Sequence, residues 1–182
     1  MRGMLSFAAL PLKKGKGMLI YTTGPIGYEA AEKLYNENIV RIKKQFPQFF
    51  INAFLEIKEN MADLDIEKYP ADVYIREMRE GGLFAALWEL CEEAGCGCEI
   101  ALEKISIRQE IVEILELFKE NPYEAASSGC LLIFSPEPVY GAQLIGFTNE
   151  TKDRIIDIGS HKRYLTPVKR QIKDIENRKG ER

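Results

Sequence analysis

The stretch that decides the fold runs over residues 80–133 and reads EGGLFAALWELCEEAGCGCEIALEKISIRQEIVEILELFKENPYEAASSGCLLI. It opens with the glycine pair Gly81-Gly82, which breaks a preceding strand pattern, and continues as an apolar helical segment over 83–94. A short strand is predicted at 99–102 and an amphipathic helix at 107–118. The nearly continuous apolar run at 129–135 predicts a central strand.

The same alternation of strands and helices extends outward from this stretch. The sequence predicts further strands at 18–23, 71–78, 142–148 and 153–158, and helices at 28–44 and 48–61. The strands at 142–148 and 153–158 are expected to form a closing pair around the turn between them. We therefore predict an α+β fold, with a mixed β-sheet and helices packed on one face.

Length and charge restrict the possible classes of protein. The 182 residues suit one domain, and no apolar run approaches the roughly 20 residues that a membrane span needs. Residues 1–28 carry a net charge of +4 and residues 161–182 a net charge of +5, so the body between them carries −12. An acidic body disfavours nucleic-acid binding. We expect an N-terminal extension at 1–14, a domain at 15–168, and a charged C-terminal tail at 169–182. Beyond Pro167 the chain is expected either to fray or to dock as a helix.

Cys91, Cys96, Cys98 and Cys130 occur in a chain that shows no convincing export signal. We therefore expect a cytoplasmic protein with free thiols. The spacing of the first three cysteines suggests a metal site, but paired C-x2-C knuckles and a nearby histidine are missing. We predict no metal and four small buried side chains.

Several motifs in this order resemble the C-terminal domain of the aminoimidazole ribonucleotide (AIR) synthase superfamily. The nearest similarity is to the AIR synthase-related branch that contains the hydrogenase maturation factor. The matching motifs are Gly81-Gly82-Leu83, Gly95-Cys96-Gly97, Ile105-Ser106-Ile107-Arg108, Asn121-Pro122 and Ser128-Gly129. Thr23-Gly24-Pro25-Ile26-Gly27 is similar to the segment that opens the family's C-terminal domain, and 154–156 and 163–165 resemble its closing strands.

The resemblance implies a fold more firmly than an activity. Family enzymes carry their ATP and Mg²⁺ site in an N-terminal half, which we expect this chain to lack. The family's last helix is nearly absent, because only residues 136–141 join the two strands around it. The C-terminal cysteine that accepts the carbamoyl group in the hydrogenase factor is also missing, since the chain ends Lys-Gly-Glu-Arg. We expect no cofactor, with ATP and Mg²⁺ present only if a partner supplies the missing half.

The glycine pair is the best candidate for a ligand site. A helix beginning at Gly82 and Leu83 would present free backbone N–H groups to a phosphate. The resemblance implies the same, because the matching loop of the family enzymes faces their substrate cleft. Glu77 and Glu80 would repel a bare phosphate unless Mg²⁺ bridged them, and Arg79 could offset their charge. The alternative is a tight turn that requires Gly81 and Gly82 only for backbone geometry.

Gly24 and Gly27 form a second strand-to-helix turn, which could bind a ligand or serve only as a turn. It lacks both the P-loop and the dinucleotide-binding patterns. His161, the only histidine, follows Ser160 in a predicted surface turn. No catalytic residue can be assigned from the sequence.

Three functions follow from these observations. The first is a free-standing C-terminal domain, non-catalytic alone, that completes a partner carrying the ATP-binding half and is linked to hydrogenase maturation. The second is an ATP-dependent enzyme of phosphoryl transfer or dehydration that works with such a half. The third is a stand-alone ligand-binding module. Partners are expected to be a second copy, as a homodimer, or the separate ATP-binding chain.

Overall fold

A computed structural model of the protein describes residues 17–61, 69–70 and 72–167. The predictions made for 1–14, for 169–182 and for a C-terminal helix lie outside the described residues. The strands are β1 (Leu19–Thr23), β2 (Tyr74–Glu77), β3 (Gly97–Ala101), β4 (Leu131–Ser135), β5 (Gln143–Asn149), β6 (Arg154–Asp157) and β7 (Lys162–Tyr164). The helices are α1 (Tyr28–Glu37), α2 (Ile39–Gln45), α3 (Gln48–Glu59), α4 (Gly82–Ala94) and α5 (Gln109–Leu117), with a short 3-10 helix at Leu102–Lys104.

The described strands form one sheet in the order β2-β4-β1-β5-β3-β6-β7. All neighbours are antiparallel except β3 and β6, which are parallel. β4 lies between β1 and β2 and is buried along its whole length, as its apolar sequence predicts. The predicted α+β fold with a mixed sheet is confirmed.

One face of the sheet, which we call the covered face, packs against α4. Ile20, Leu132 and Phe134 project from it and are fully buried together with Leu83 and Leu87 of the helix. α4 packs against the sheet, including β3, and against the segment before β4. Most of its circumference is therefore buried, which accounts for its apolar sequence. This cluster is the main hydrophobic core.

A second core joins the remaining helices. Tyr28 and Tyr35 of α1 contact Phe54 of α3, with ring centroids 5.2 and 5.6 Å apart. Ile111 and Leu115 of α5 close the same cluster. α3 buries Ile51, Phe54 and Ile57 in this cluster.

The helix predicted at 28–44 is wrong in one respect, because it is two helices that meet at Asn38. Asn38 has φ −129° and ψ 30°, and its side-chain amide donates to the Leu34 carbonyl over 3.1 Å. An asparagine side chain that bonds the preceding turn competes with continuation of the helix, so α1 ends before Asn38 and α2 begins after it.

The pairing predicted for the last strands is also wrong. β5 and β6 do form, but β3 lies between them, so they are not neighbours. The Cys98 N–H donates to the Asp153 carbonyl over 2.9 Å, which draws the loop after β5 over the start of β3. β3 itself begins two residues earlier than predicted, at Gly97.

Candidate functional site

Three loops meet at one end of the sheet, and they contain most of the predicted site residues. They are the turn 23–27 after β1, the segment 77–82 after β2, and the segment 123–130 before β4. The Gly27 N–H donates to the Ser127 hydroxyl over 2.7 Å, and the Met78 N–H donates to the Cys130 carbonyl over 2.8 Å. Gly24 has φ +81°, and a Cβ there would lie 2.8 Å from Cys130 Sγ. The two predicted glycine turns therefore meet at the 123–130 segment.

Glu77 is held at the centre of this loop cluster. Its Oε1 accepts the Gly129 N–H over 3.0 Å, and its Oε2 accepts Arg79 Nε over 2.8 Å. These bonds, the Gly129 N–H first and Arg79 second, lower the pKa of Glu77 below its ordinary value. Both oxygens of this predicted site residue are therefore occupied by the protein itself.

Glu29 is a residue that the sequence did not single out. Its carboxylate accepts the Ser128 N–H over 2.9 Å. The N–H groups of Ser128 and Gly129 therefore each donate to a carboxylate, that of Glu29 in the first turn of α1 and that of Glu77 at the end of β2. The signal in the sequence is weak, because an acidic residue in the first turn of a helix is common.

The glycine pair lies under the 123–130 segment. Gly81 and Gly82 have φ +80° and +57°, and a Cβ on Gly82 would lie 2.5 Å from the Ala125 carbonyl oxygen. The Gly82 N–H donates to the Arg79 carbonyl, the Phe84 N–H donates to the Tyr123 carbonyl, and Leu83 is fully buried. The geometry at Gly82 favours the turn interpretation. Anion binding at the pair stays a prediction, and the exposed residues that could meet a ligand there are Arg79 and Glu80.

Charge around this segment is mixed and mostly acidic. A surface cavity of about 490 Å³ beside it is lined by Glu77, Glu80, Glu89, Glu93, Arg76 and Arg79, among others. Arg76 is held by Glu89 at 2.9 Å and by Glu93 at 2.6 Å. Four carboxylates against two guanidinium groups disfavour a bare phosphate.

A separate cleft of about 460 Å³ opens beside the 23–27 turn. Its apolar wall comes from α3, and its polar wall from Ser106, Arg108 and Gln143. Ser106 and Gln143 bond each other twice, through the Ser106 N–H and hydroxyl, each over 3.0 Å. Arg108 Nε donates to Glu110 Oε2 over 3.2 Å, and this bond raises the pKa of Arg108. The negative charge of Glu56 raises it further. Arg108 belongs to a motif quoted above, whereas Gln143 and Glu56 were missed because nothing in the local sequence links them.

The cysteines are free and buried. Burial raises the pKa of Cys130 to about 12, so its thiol is protonated at neutral pH. In the ranges that the structure describes, no group of three or more His, Cys, Asp or Glu side chains could hold a metal ion.

His161 is exposed, with Nδ1 lying 3.0 Å from the Ser160 hydroxyl. No described helix is long and apolar enough to cross a membrane.

The sequence matches no protein-family model. It is 36% identical over 84 residues to carbamoyl dehydratase HypE of Rhodobacter capsulatus, an alignment that covers 46% of this chain and 24% of that protein. The chain is thus homologous to part of HypE.

Solved structures share the fold. Escherichia coli HypE, a hydrogenase maturation protein, matches with a TM-score of 0.62 and 19% identity over 88% of this chain and 52% of that chain. Thiamine monophosphate kinase of Aquifex aeolicus matches with a TM-score of 0.55 and 20% identity over 80% of this chain and 52% of that chain. HypE in complex with ATP (TM-score 0.58, 14% identity, 87% and 52% covered) and a HypE–HypF complex (0.57, 18%, 85% and 54%) match as well.

These matches show that the chain has the fold shared by HypE and thiamine monophosphate kinase. Over part of its sequence the chain is also homologous to HypE. It spans about half the length of the solved chains that it matches, which fits a C-terminal domain.

Proposed function

We propose that this chain is a HypE-like, AIR synthase-related C-terminal module that is non-catalytic alone and completes a partner carrying an ATP-binding half. The observation that carries the proposal is the gathering of three loops and an open cleft at one end of the sheet. Homology to part of HypE supports the link to hydrogenase maturation.

The chemistry of the loop cluster favours a supporting role over an independent active site. Phosphoryl transfer needs Mg²⁺ held by carboxylates and a cradle for the triphosphate. Both Glu77 oxygens and one Glu29 oxygen bond N–H groups of the protein itself. We therefore assign ATP and Mg²⁺ to the partner, and to this chain the shaping of the adjoining cleft.

The cleft beside the 23–27 turn is the surface through which we propose that the module meets a ligand or the other half. Arg108, 58% exposed at its side chain, supplies a positive group at the rim. Ser106 and Gln143 supply hydrogen-bonding groups, and α3 supplies an apolar wall. A cytoplasmic location, with its reducing conditions, accords with four free thiols.

Coexpression tests this function. The chain is produced together with the N-terminal half of R. capsulatus HypE, the half that we expect to carry the ATP site, and the mass of the product is measured by light scattering. We expect a one-to-one complex. The variant Arg108→Glu should weaken it, and the control Arg163→Glu, at an exposed arginine that lies over Phe84 elsewhere on the protein, should not. A folded chain that stays separate from that half would contradict the proposal.

A second candidate is an ATP-dependent enzyme assembled from this chain and such a half. It is favoured by the structure of HypE with ATP, which has the same fold. Turnover of ATP by the coexpressed complex, abolished by Arg108→Ala, would favour this alternative over a purely structural role.

A further inference from the structure

The outer surface of α2 and α3 exposes large apolar side chains. Ile42 of α2 and Phe54 of α3 are buried in the same cluster, so the opposite sides of the two helices face outward together. Four of the eight large apolar side chains that are exposed among the described residues belong to these two helices: Ile39, Val40, Phe49 and Leu55. Val40 is 80% exposed and Phe49 is 75% exposed. Apolar groups gathered on one surface mark an interaction site.

The same surface is positively charged. Residues 38–55 contain Arg41, Lys43 and Lys44 and no acidic residue, although the chain as a whole has a net charge of −3. Lys44 lies four residues after Val40, so the two side chains share the side of α2 opposite Ile42. None of the ion pairs between described residues involves Lys43 or Lys44. Both ammonium groups are therefore available to a negatively charged partner.

The corner between α2 and α3 is held by aromatic contacts. The rings of Phe46 and Phe50 stack, with centroids 4.3 Å apart and planes 11° apart. The Arg41 guanidinium lies 4.8 Å from the centroid of Phe118, and its Nη2 donates to the Leu117 carbonyl over 3.4 Å. A surface that is fixed before binding loses less conformational entropy when a partner docks on it.

From these observations we infer that the outer surface of α2 and α3 docks an acidic, amphipathic segment of a partner protein. The apolar stripe of such a segment would cover Val40 and Phe49, and its carboxylates would lie against Lys43 and Lys44. The inference goes beyond the proposed function, because none of these four residues lines the cleft beside the 23–27 turn.

The terminal segments of the chain itself do not complement this surface. Residues 1–16 contain four basic residues and no acidic one, and residues 168–182 contain six basic residues against three acidic ones. Both segments are positive, so Lys43 and Lys44 would repel them.

The internal segment 62–68 is acidic but begins far from the exposed apolar residues. It follows Met61, beyond the end of α3, and leads to Tyr69, which packs beside Tyr21 and Ile133 on the sheet. Phe49 lies about 15 Å from that end of α3, since a helix rises about 1.5 Å per residue. A separate chain is therefore the occupant that suits the surface.

A protein segment also suits the surface better than a lipid bilayer does. Residues 38–55 supply three cations, whereas a polybasic lipid-binding segment has about four to eight. α2 contains only seven residues, and its apolar residue Ile42 is buried within the protein. The exposed apolar groups are thus a local patch rather than the long apolar face of a membrane-surface helix.

Fluorescence anisotropy with a labelled peptide tests the inference on the full chain. The probe is a helical peptide of about 14 residues with a leucine stripe and glutamate at its other positions. The control probe has lysine in place of every glutamate. We expect a dissociation constant below about 100 μM for the acidic probe, and binding of the basic probe that is at least about tenfold weaker. Because the chain has a negative net charge, non-specific attraction would favour the basic probe instead.

Variants of the outer surface locate the binding. Lys43→Glu/Lys44→Glu should weaken binding of the acidic probe at least about tenfold, and Phe49→Ser at least about threefold. The matched control Lys104→Glu/Lys152→Glu makes the same charge change at two exposed lysines elsewhere and should leave binding unchanged. Melting curves establish that every variant is folded.

Three results would overturn the inference. The first is no binding of the acidic probe up to about 1 mM. The second is an equal loss of binding in the two lysine double variants, because this would assign the binding to overall charge. The third is sedimentation of the chain with phosphatidylserine vesicles that depends on Lys43 and Lys44 while the peptide does not bind, because this would assign the surface to a membrane.

Discussion

The two faces of the sheet differ in how completely the chain buries them. On the covered face Ile20, Leu132 and Phe134 are inaccessible to solvent beneath α4. On the opposite face of the same sheet, Phe147 is 49% exposed and Tyr164 is 68% exposed. Within the part of the chain that the structure describes, the covered face is therefore packed more completely than the opposite face.

The largest effect expected from this difference is on stability. Phe134→Ala should cost about 3–5 kcal/mol of unfolding free energy, because it leaves a cavity in the covered face. Phe147→Ala, measured on dilute protein, should cost about 0.5 kcal/mol or less, as exposed substitutions do. Urea unfolding of both variants measures the difference. Equal losses would mean that the two faces are equally packed.

The packing around α4 is tested by alanine substitutions at the glycines of its two ends. Gly82→Ala should cost about 2–4 kcal/mol, because an alanine at φ +57° is strained and its Cβ would lie 2.5 Å from the Ala125 carbonyl oxygen. The control Gly95→Ala has a similar φ of +65° but open space around it, so it should cost about 1 kcal/mol. Thermal melting of the pair separates packing from backbone strain. A neutral Gly82→Ala would contradict the turn interpretation.

The hydrogen bond between the 23–27 turn and the 123–130 segment should have a smaller effect. Ser127 is fully buried, and its hydroxyl accepts the Gly27 N–H and donates to the Ala125 carbonyl. Ser127→Ala leaves that N–H without its acceptor and should cost about 1–3 kcal/mol. Ser128→Ala serves as the control, because Glu29 bonds its backbone N–H rather than its side chain. Losses of the same size in both variants would show that the Gly27 bond is unimportant.

The smallest effect expected is the pH dependence contributed by Glu77. Its pKa is lowered in the folded state, so its contribution to stability is complete above the ordinary value of 4.5 and is lost as the pH falls through the lowered pKa. Glu77→Gln should therefore reduce the loss of stability on acidification below pH 4.5. Parallel urea titrations at pH 3 to 7 measure this, and an unchanged acid slope would contradict the role given to the Gly129 and Arg79 bonds.

Local pattern predicted the elements better than their arrangement. The apolar run of β4 and the periodicity of α4 and α5 appear in the structure within about two residues of the predicted ends. The failure at Asn38 is also local, since a single side-chain bond to Leu34 ends α1. Periodicity alone does not report such a bond.

Strand order and the site depend on contacts between distant residues. Placing β3 between β5 and β6 depends on pairs such as Cys98 with Thr148 and Arg154, which no local pattern contains. The bonds of Glu29 and Glu77 to Ser128 and Gly129 likewise join residues 99 and 52 positions apart. The sequence could place Glu77 in a candidate site, but it could not indicate that both of its oxygens are already used.

A calorimetric titration of Mg-ATP into the full chain tests most directly whether ATP binding belongs to a partner. We predict no binding heat at Mg-ATP concentrations up to about 100 μM. That concentration would nearly saturate a site whose dissociation constant is about 1 μM. The coexpressed complex with the half of HypE serves as the positive comparison. Micromolar binding of Mg-ATP by this chain alone would contradict the account.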